Sequence, residues 1–471
     1  MTAAYIAVTL PLVTAPFGMS HDGRNGGVFA LGGRALRELG PVDSHWGAVL
    51  AQGGGSYAHH PPLIVWLTAL TDAGPGGPSL AIRLPTWLAS IAVIILLDRM
   101  LRHLGLSPVA AGLGVGLAVA SPMFVTYAWM LDTPMLALPF FVAVLDRWLR
   151  SRRGEALSPT VTALLALACG LSGWQATFGC SVLIVAGTVP WPGQMVSRSV
   201  RRASWTIGRA VMVGAGISLA WIAQSPDGLD GLRASFGDRV GATATNHSTT
   251  VANALATQTR TAGEMWLLAT LVIAPLLAVA AWRDRRTRAA LATSVITVIG
   301  YSIAFWQAST IHDYWNLYAV IALALGAAAA ADHAIARSRR PRRVTALLVA
   351  STAGALLWVA LTGSPARTEL ESGWRVADLI AAAPIPADQD RLPVAGIAEP
   401  LGWTVLDNGL TIDLVPGRRD LAALAERHPD WQVVVGCALA TTECRRLVDA
   451  GSPSADGVVV DRAADVAAAF G

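Results

Sequence analysis

Residues 107–125 read SPVAAGLGVGLAVASPMFV, a run of nineteen residues without a charge. A helix rises about 1.5 Å per residue, so such a run can approach the thickness of a hydrocarbon core of about 30 Å. Arg99 and Arg102 stand before it and Asp132 after it. Working outward in both directions, the same alternation of apolar run and polar joint recurs near 3–19, 84–97, 107–125, 133–145, 159–173, 176–190, 206–223, 265–282, 289–306, 315–331 and 344–362. This pattern predicts an all-α polytopic membrane protein with about eleven transmembrane helices. Composition points the same way: 54% of the 471 residues are apolar and 14% charged, against roughly 25% charge in soluble domains. A single soluble globule is excluded.

The 35 basic residues are all Arg, and 31 acidic residues leave a net charge of +4. A nucleic-acid binder would gather its Arg on one soluble surface beside stacking aromatics, whereas these fall between hydrophobic runs. Nucleic acid is therefore not the expected partner; the lipid bilayer is. Five short connections carry Arg99 and Arg102; Arg147, Arg150, Arg152 and Arg153; Arg198, Arg201, Arg202 and Arg209; Arg283, Arg285, Arg286 and Arg288; and Arg337, Arg339, Arg340, Arg342 and Arg343. These are every second loop, and short Arg-rich loops stay in the cytoplasm. The expected topology is a multi-pass cell-membrane protein with its N-terminus cytoplasmic. The loops near 20–83, 224–264 and 307–314 and the tail from 363 would then be extracytoplasmic. Residues 1–19 lack a basic leader, which favours a retained first span over a cleaved signal peptide.

The tail, 363–471, changes character. Its apolar runs, Pro393–Ile397, Trp431–Val435 and Gly457–Val460, are too short to span, and helix-like stretches near 418–427, 440–450 and 462–470 separate them. It reads as a small extracytoplasmic α/β domain, residues 363–471, following a membrane domain, 1–362. Cys437 and Cys444 fall in that domain, where a disulfide is chemically permitted but not required; Cys169 and Cys180 fall in spans.

Charge is costly at the bilayer centre, so its placement reports function. The span interiors are nearly free of it, and neither midplane carboxylates nor an internal repeat is evident, which weighs against an ion-coupled transporter. Ionisable groups gather instead at the outer span ends: His21 and Asp22, then His59, His60 and Arg83, then Asp132, then His312 and Asp313. That depth suits a substrate with a lipid tail and a phosphorylated head. No P-loop or G-x-G-x-x-G signature is present, and an outward-facing group-transfer enzyme would need its activated donor delivered by a lipid.

Several segments carry a family resemblance: His21-Asp22-Gly23-Arg24, Tyr57-Ala58-His59-His60-Pro61-Pro62-Leu63, Arg83-Leu84-Pro85, Ser121-Pro122, Leu131-Asp132-Thr133-Pro134 and His312-Asp313-Tyr314-Trp315. In this order they resemble the GT-C glycosyltransferases, and within them the protein O-mannosyltransferase and lipid A aminoarabinose transferase group. The resemblance covers about residues 1–345. It implies transfer of a sugar, mannose or a pentose, from a polyprenyl-phosphate donor to an acceptor hydroxyl on an envelope glycan, a glycolipid or a secreted protein. It also implies inversion, with Asp22 as the base. The family often has Asp-Glu where this chain has Asp22-Gly23, and a basic residue where His60 precedes Pro-Pro.

A polyprenyl phosphate is already a good leaving group, so one base, phosphate donors and stabilisation of an oxocarbenium-like centre suffice. Arg83 and Arg239 are the phosphate candidates, because a guanidinium grips phosphate oxygens bidentately. His60, Asp132, His312 and Tyr314 are the further substrate-binding candidates. Some family members hold a divalent metal ion near the donor phosphate, to which His59 and His60 could contribute. Each residue also has a plainer reading. Asp22 would cap a helix over Val28–Leu39, Asp132 would cap the fourth span, Arg83 would anchor the second, and Tyr314 would belong to an aromatic belt. Two other classes stay open: a lipid-linked-sugar flippase, and a non-catalytic envelope scaffold.

Overall fold

The computed structural model describes residues 2–17, 22–50, 58–72, 79–189, 196–226, 228–240, 251–266, 268–310, 313–361, 365–389, 391–395, 411–415, 418–437 and 441–470. Helix starts follow a repeated local rule. Ser107, Ser121 and Ser158 each precede a proline, and their hydroxyls accept the backbone N–H groups of Ala110, Phe124 and Val161. Ser plus Pro satisfies one orphan amide and removes another, so these dipeptides open α5 (Pro108–Val119), α6 (Pro122–Tyr127) and α8 (Pro159–Ser172). Asp132 does the same for α7 (Thr133–Arg152), accepting from Thr133 N at 2.6 Å.

Residues 107–125 are consequently not one helix. Pro122 has no N–H and disfavours a helical residue before it, so the run breaks at Ser121 into α5 and α6. Every residue from 118 to 139 is buried. Protein therefore surrounds the irregular backbone between α6 and α7 on all sides.

The rest of the helical part comprises α1 (Thr2–Thr14), a π-helical turn (Asp22–Gly26), α2 (Gly27–Asp43), α3 (Leu63–Thr71), α4 (Ser79–His103), α9 (Trp174–Thr188) and α10 (Arg198–Ile222). After these come α11 (Gly228–Val240), α12 (Val251–Trp266), α13 (Leu268–Arg283), α14 (Arg288–Ala304), α15 (Ala319–Arg337) and α16 (Pro341–Leu361). A helix lies on each of the expected spans. By length and composition, α4, α10 and α15 are long and apolar enough to cross a membrane. Helices α1, α5, α8 and α9 have 13, 12, 14 and 15 residues, shorter than the roughly 20 of a simple crossing.

Small residues set the closest helix contacts, as in membrane bundles where backbone approach replaces hydrophobic drive. A methyl group on Gly170 of α8 would sit 2.6 Å from the Val211 carbonyl of α10, and one on Gly214 2.5 Å from that of Leu167. The Ser218 hydroxyl donates to the Gly170 carbonyl at 2.9 Å across the same seam. Around it, Phe124, Trp129, Phe141, Trp148 and Tyr318 fill the core.

The tail holds α17 (Pro365–Ala381) and a five-stranded sheet of order β2-β1-β3-β5-β4, with β1 (Arg391–Ala395), β2 (Thr411–Val415), β3 (Gln432–Gly436), β4 (Ser454–Ala455) and β5 (Val458–Arg462). Strands β2 and β3 both run parallel to β1, and β5 antiparallel to β3. One sheet face, through Leu392, Val394, Val434 and Val460, joins α17 in an apolar cluster that continues into Phe17, Phe29 and Trp221 of the membrane part. The other face takes α18 (Arg418–Arg427), α19 (Thr441–Asp449) and α20 (Ala463–Phe470). A disulfide joins Cys437 to Cys444, pinning the end of β3 to α19.

Candidate active site

Asp22 opens the π-helical turn that leads into α2. Arg83, one turn into α4, donates to its Oδ2 from Nη2 at 2.7 Å and from Nε at 3.1 Å, and Leu131 N donates to Oδ1 at 3.2 Å. Both side chains are buried, 2% and 1% exposed. Arg83 Nη1 donates to the carbonyls of Val13 at 3.1 Å and Ala15 at 2.5 Å, while its guanidinium lies 3.9 Å over the Phe17 ring and 5.1 Å from that of Trp129. One cation thus ties the end of α1, the first-loop carboxylate and the buried 128–132 joint together. Removing either member of such a buried pair would strand the other's charge, which is costly.

Arg83, expected as a phosphate clamp, turns its fork in this structure to Asp22 and to the carbonyls of Val13 and Ala15. Asp22 does not cap α2: the cap position is Gly26, with no side-chain cap bond. Asp132 is the α7 cap and is buried. His59 and His60 precede α3, half-buried; the Trp174 indole donates to the His59 carbonyl at 2.9 Å, and the His60 ring meets Phe29 edge-on at 6.0 Å. Tyr314 is buried against Tyr127, ring centroids 5.7 Å apart. His21 and His312 lie outside the described residues.

Arg239 sits on α11 and lines a cavity of about 700 Å³ with Arg233, Asp230, Trp174, Phe178 and Phe305. Its walls come from α9, α10, α11 and α14 and are mostly apolar and aromatic. Trp174 belongs to this wall and also holds the His59 backbone, so it links the cavity to the α2–α3 side of the site.

Several participants were not singled out from the sequence. Arg233 lies six residues before Arg239, and its placement in the same wall depends on α11 forming. Arg34 and Asp72 make a second buried pair, Nε to Oδ2 at 2.9 Å and Nη2 to Oδ1 at 2.8 Å, locking α2 to the end of α3. Trp129 keeps a buried indole N–H with no hydrogen-bond partner among the described residues, beside Arg83. No local signal marks the Arg34–Asp72 pair or Trp129, because their neighbours come from distant segments.

Among the described residues no three His, Cys, Asp or Glu side chains form a group able to hold an ion. Asp22 and Asp132 direct their oxygens to Arg83 and backbone amides.

The chain is similar to ArnT from Cupriavidus metallidurans in the apo state, at 14% identity and TM-score 0.63, over 98% of this chain and 97% of that one. The same protein bound to undecaprenyl phosphate matches at 15% identity and TM-score 0.64, over 98% and 96%. The chain has the GT-C fold. The arabinofuranosyltransferase AftD from Mycobacteria also matches, at 16% identity and TM-score 0.50, over 93% of this chain and 35% of that one. No family model matches the chain, and no curated protein matches it in sequence. The GT-C likeness is therefore carried by helix arrangement at identities where few side chains are shared, and residue roles must come from this chain's own geometry.

Proposed function

We propose that this GT-C protein is an integral membrane glycosyltransferase. It moves a sugar from a polyprenyl-phosphate donor to an acceptor hydroxyl on the extracytoplasmic side, with eleven crossings, a cytoplasmic N-terminus and the tail outside. The observation that carries this reading is the aromatic cavity with Arg233 and Arg239 in its wall, on a fold shared over 98% of the chain with a protein whose structure holds undecaprenyl phosphate. Its apolar surface suits a prenyl chain, and two guanidiniums suit a phosphate.

In this mechanism the anomeric C–O bond to phosphate breaks as the acceptor oxygen attacks from the opposite face, inverting the centre. The acceptor proton goes to Asp22, and the phosphate leaves as an anion held by Arg239 and Arg233. Asp22 Oδ2 receives both Arg83 bonds and Oδ1 receives one, which leaves a lone pair on Oδ1 for that proton. Because Asp22 is 2% exposed, the 128–132 joint must shift for an acceptor to reach it. The Trp129 indole N–H is a ready donor for a substrate oxygen arriving there. Mannose or a pentose as the sugar, and an envelope glycan, glycolipid or secreted protein as the acceptor, complete the reading. His60 and Tyr314 would shape the acceptor side.

The direct test supplies radiolabelled polyprenyl-phosphate sugars to membranes with and without the protein and follows which product gains label. Protein-dependent transfer from one donor supports the reading; label that only changes leaflet would make the protein a flippase, and no movement of label with any donor would remove the enzyme assignment.

A further inference from the structure

A second groove, of about 870 Å³, runs between α9 and α14 and shares Phe178 and Ser181 with the Arg233/Arg239 cavity. From there it passes Val185, Ala186, Ala292 and Ile296 and ends among Trp148, Arg152, Trp282, Arg285 and Arg288. Those arginines belong to the end of α7 and to the α13–α14 connection, both read as cytoplasmic.

Positive-inside arginines need only be present; they need not face anything. Here they divide into two sets. Arg150 and Arg153 bind Glu155 at 2.6 and 2.8 Å, Arg147 binds Thr162 and Ser158 at 2.8 and 2.7 Å, and Arg286 bridges Asp284 and Asp332 at 2.7 and 2.8 Å. Arg152, Arg285 and Arg288, from the same two connections, have no carboxylate partner among the described residues and line the groove. Arg152 lies 5.2 Å over Trp148, and Arg288 lies 5.5 Å over Trp282 while donating to that residue's carbonyl at 2.7 Å. A comparable apolar groove of about 670 Å³ beside α4 and α7 is lined by Arg99, Arg147 and Arg150, but Arg147 and Arg150 are already engaged with protein groups and the Asp146 carboxylate in the same wall opposes an anion.

We propose that the α9–α14 groove binds an anionic phospholipid of the cytoplasmic leaflet. Its phosphate is held by Arg152, Arg285 and Arg288, and an acyl chain lies along Val185, Ala292 and Ile296. Three guanidiniums without acidic partners complement a phosphate diester, and the two indoles sit where aromatic residues meet headgroups. The proposal does not rest on the donor reading of the neighbouring cavity, with which the groove shares Phe178 and Ser181.

The test is native mass spectrometry of the purified full-length protein titrated with phosphatidylglycerol or phosphatidylcholine. Wild type should retain one phosphatidylglycerol and no phosphatidylcholine. The variant Arg152→Gln/Arg285→Gln/Arg288→Gln should bind at least about tenfold more weakly. A control with the same charge change elsewhere on the inner side, Arg339→Gln/Arg340→Gln/Arg342→Gln, should bind as wild type. If the triple variant does not fold, Arg285→Gln alone and the groove-filling Ala292→Phe carry the same comparison. Equal loss in the control, equal retention of phosphatidylcholine, displacement by inorganic phosphate, or displacement by undecaprenyl phosphate would each overturn the proposal. The last would assign the groove to the donor's own chain.

Discussion

Arg83 gives two hydrogen bonds to a single oxygen of Asp22, Oδ2, at 2.7 and 3.1 Å, and leaves Oδ1 to the Leu131 amide. The two oxygens of one carboxylate are thereby made unequal. One is anchored to α4, and the other faces the joint that leads to α7. Because the anchoring cation is itself fixed by α1 carbonyls and the Phe17 ring, Asp22 is held from three segments at once.

Replacing Arg83 by Lys keeps the charge and loses the fork. The expected result is a kcat lower by about ten- to a hundredfold with the donor KM unchanged, since orientation and not phosphate binding is weakened. Steady-state transfer assays separate the two. A raised donor KM at constant kcat would return Arg83 to the phosphate.

Asp22→Asn leaves a buried guanidinium without its anion, which should cost about 3–5 kcal/mol of stability as well as transfer. The double change Asp22→Asn with Arg83→Met removes both charges and should recover most of the thermal stability in detergent while remaining inactive. If the double variant transfers sugar, Asp22 is structural only.

Arg239→Gln and Arg233→Gln should each raise the donor KM about tenfold and leave the acceptor KM unchanged, as expected for charge-assisted bonds to phosphate. Initial-rate measurements with both substrates varied give the answer, and a pure acceptor effect would move the cavity from donor to acceptor.

Gly33 is where α2 meets α3. A methyl group there would sit 2.5 Å from Thr68 Oγ1 and 2.9 Å from the Ala69 amide nitrogen, so backbone must move. Gly33→Ala should destabilise the protein by about 1–3 kcal/mol and strain the Arg34–Asp72 pair beside it. Thermal unfolding of the variant, compared with Gly40→Ala as a probe of a glycine with open space but positive φ, measures the contact.

Cys437 and Cys444 should be recovered as one linked peptide pair from unreduced membranes, with Cys169 and Cys180 unlinked. Opening so short a loop by Cys444→Ser should cost about 2 kcal/mol. Free thiols at both tail positions in freshly isolated cells would argue that the tail faces a reducing compartment and would reverse the proposed orientation.

How legible this was differs by level. Helices were legible wherever apolar runs met Ser-Pro or Asp-Thr-Pro starts, because capping is local. The break of residues 107–125 at Ser121 was written in Pro122, but the length of the apolar run masked it. In the tail, the β3 and β5 runs were readable as Val-rich segments, whereas β2 (Thr411–Val415) has Asp413 in its middle and β4 has only two residues. Amphipathic α17 was missed because its apolar residues become a face only against the sheet and the membrane part. Asp22 could be picked because charge is rare at span ends and its segment carries a family resemblance, and Arg239 because of its place in the loop near 224–264. The role of Arg83 could not, since an arginine at a span entry looks the same whether it meets phosphate, headgroups or a carboxylate.

Alternating apolar runs and arginine joints by themselves determined that the chain is a helical membrane protein and which residues could carry charge at the ends of its spans. Such patterning acts through transfer of single segments from water to lipid, a local free energy that needs no partner. Tertiary structure alone decided that Arg83 pairs with Asp22, that Arg233 and Arg239 share one cavity wall, and that Arg152, Arg285 and Arg288 face a groove while their neighbours find acids. The Arg83–Asp22 pair and the walls of both cavities depend on distances between segments tens of residues apart, and burial makes the choice of partner matter because an unmatched charge there has no water to fall back on.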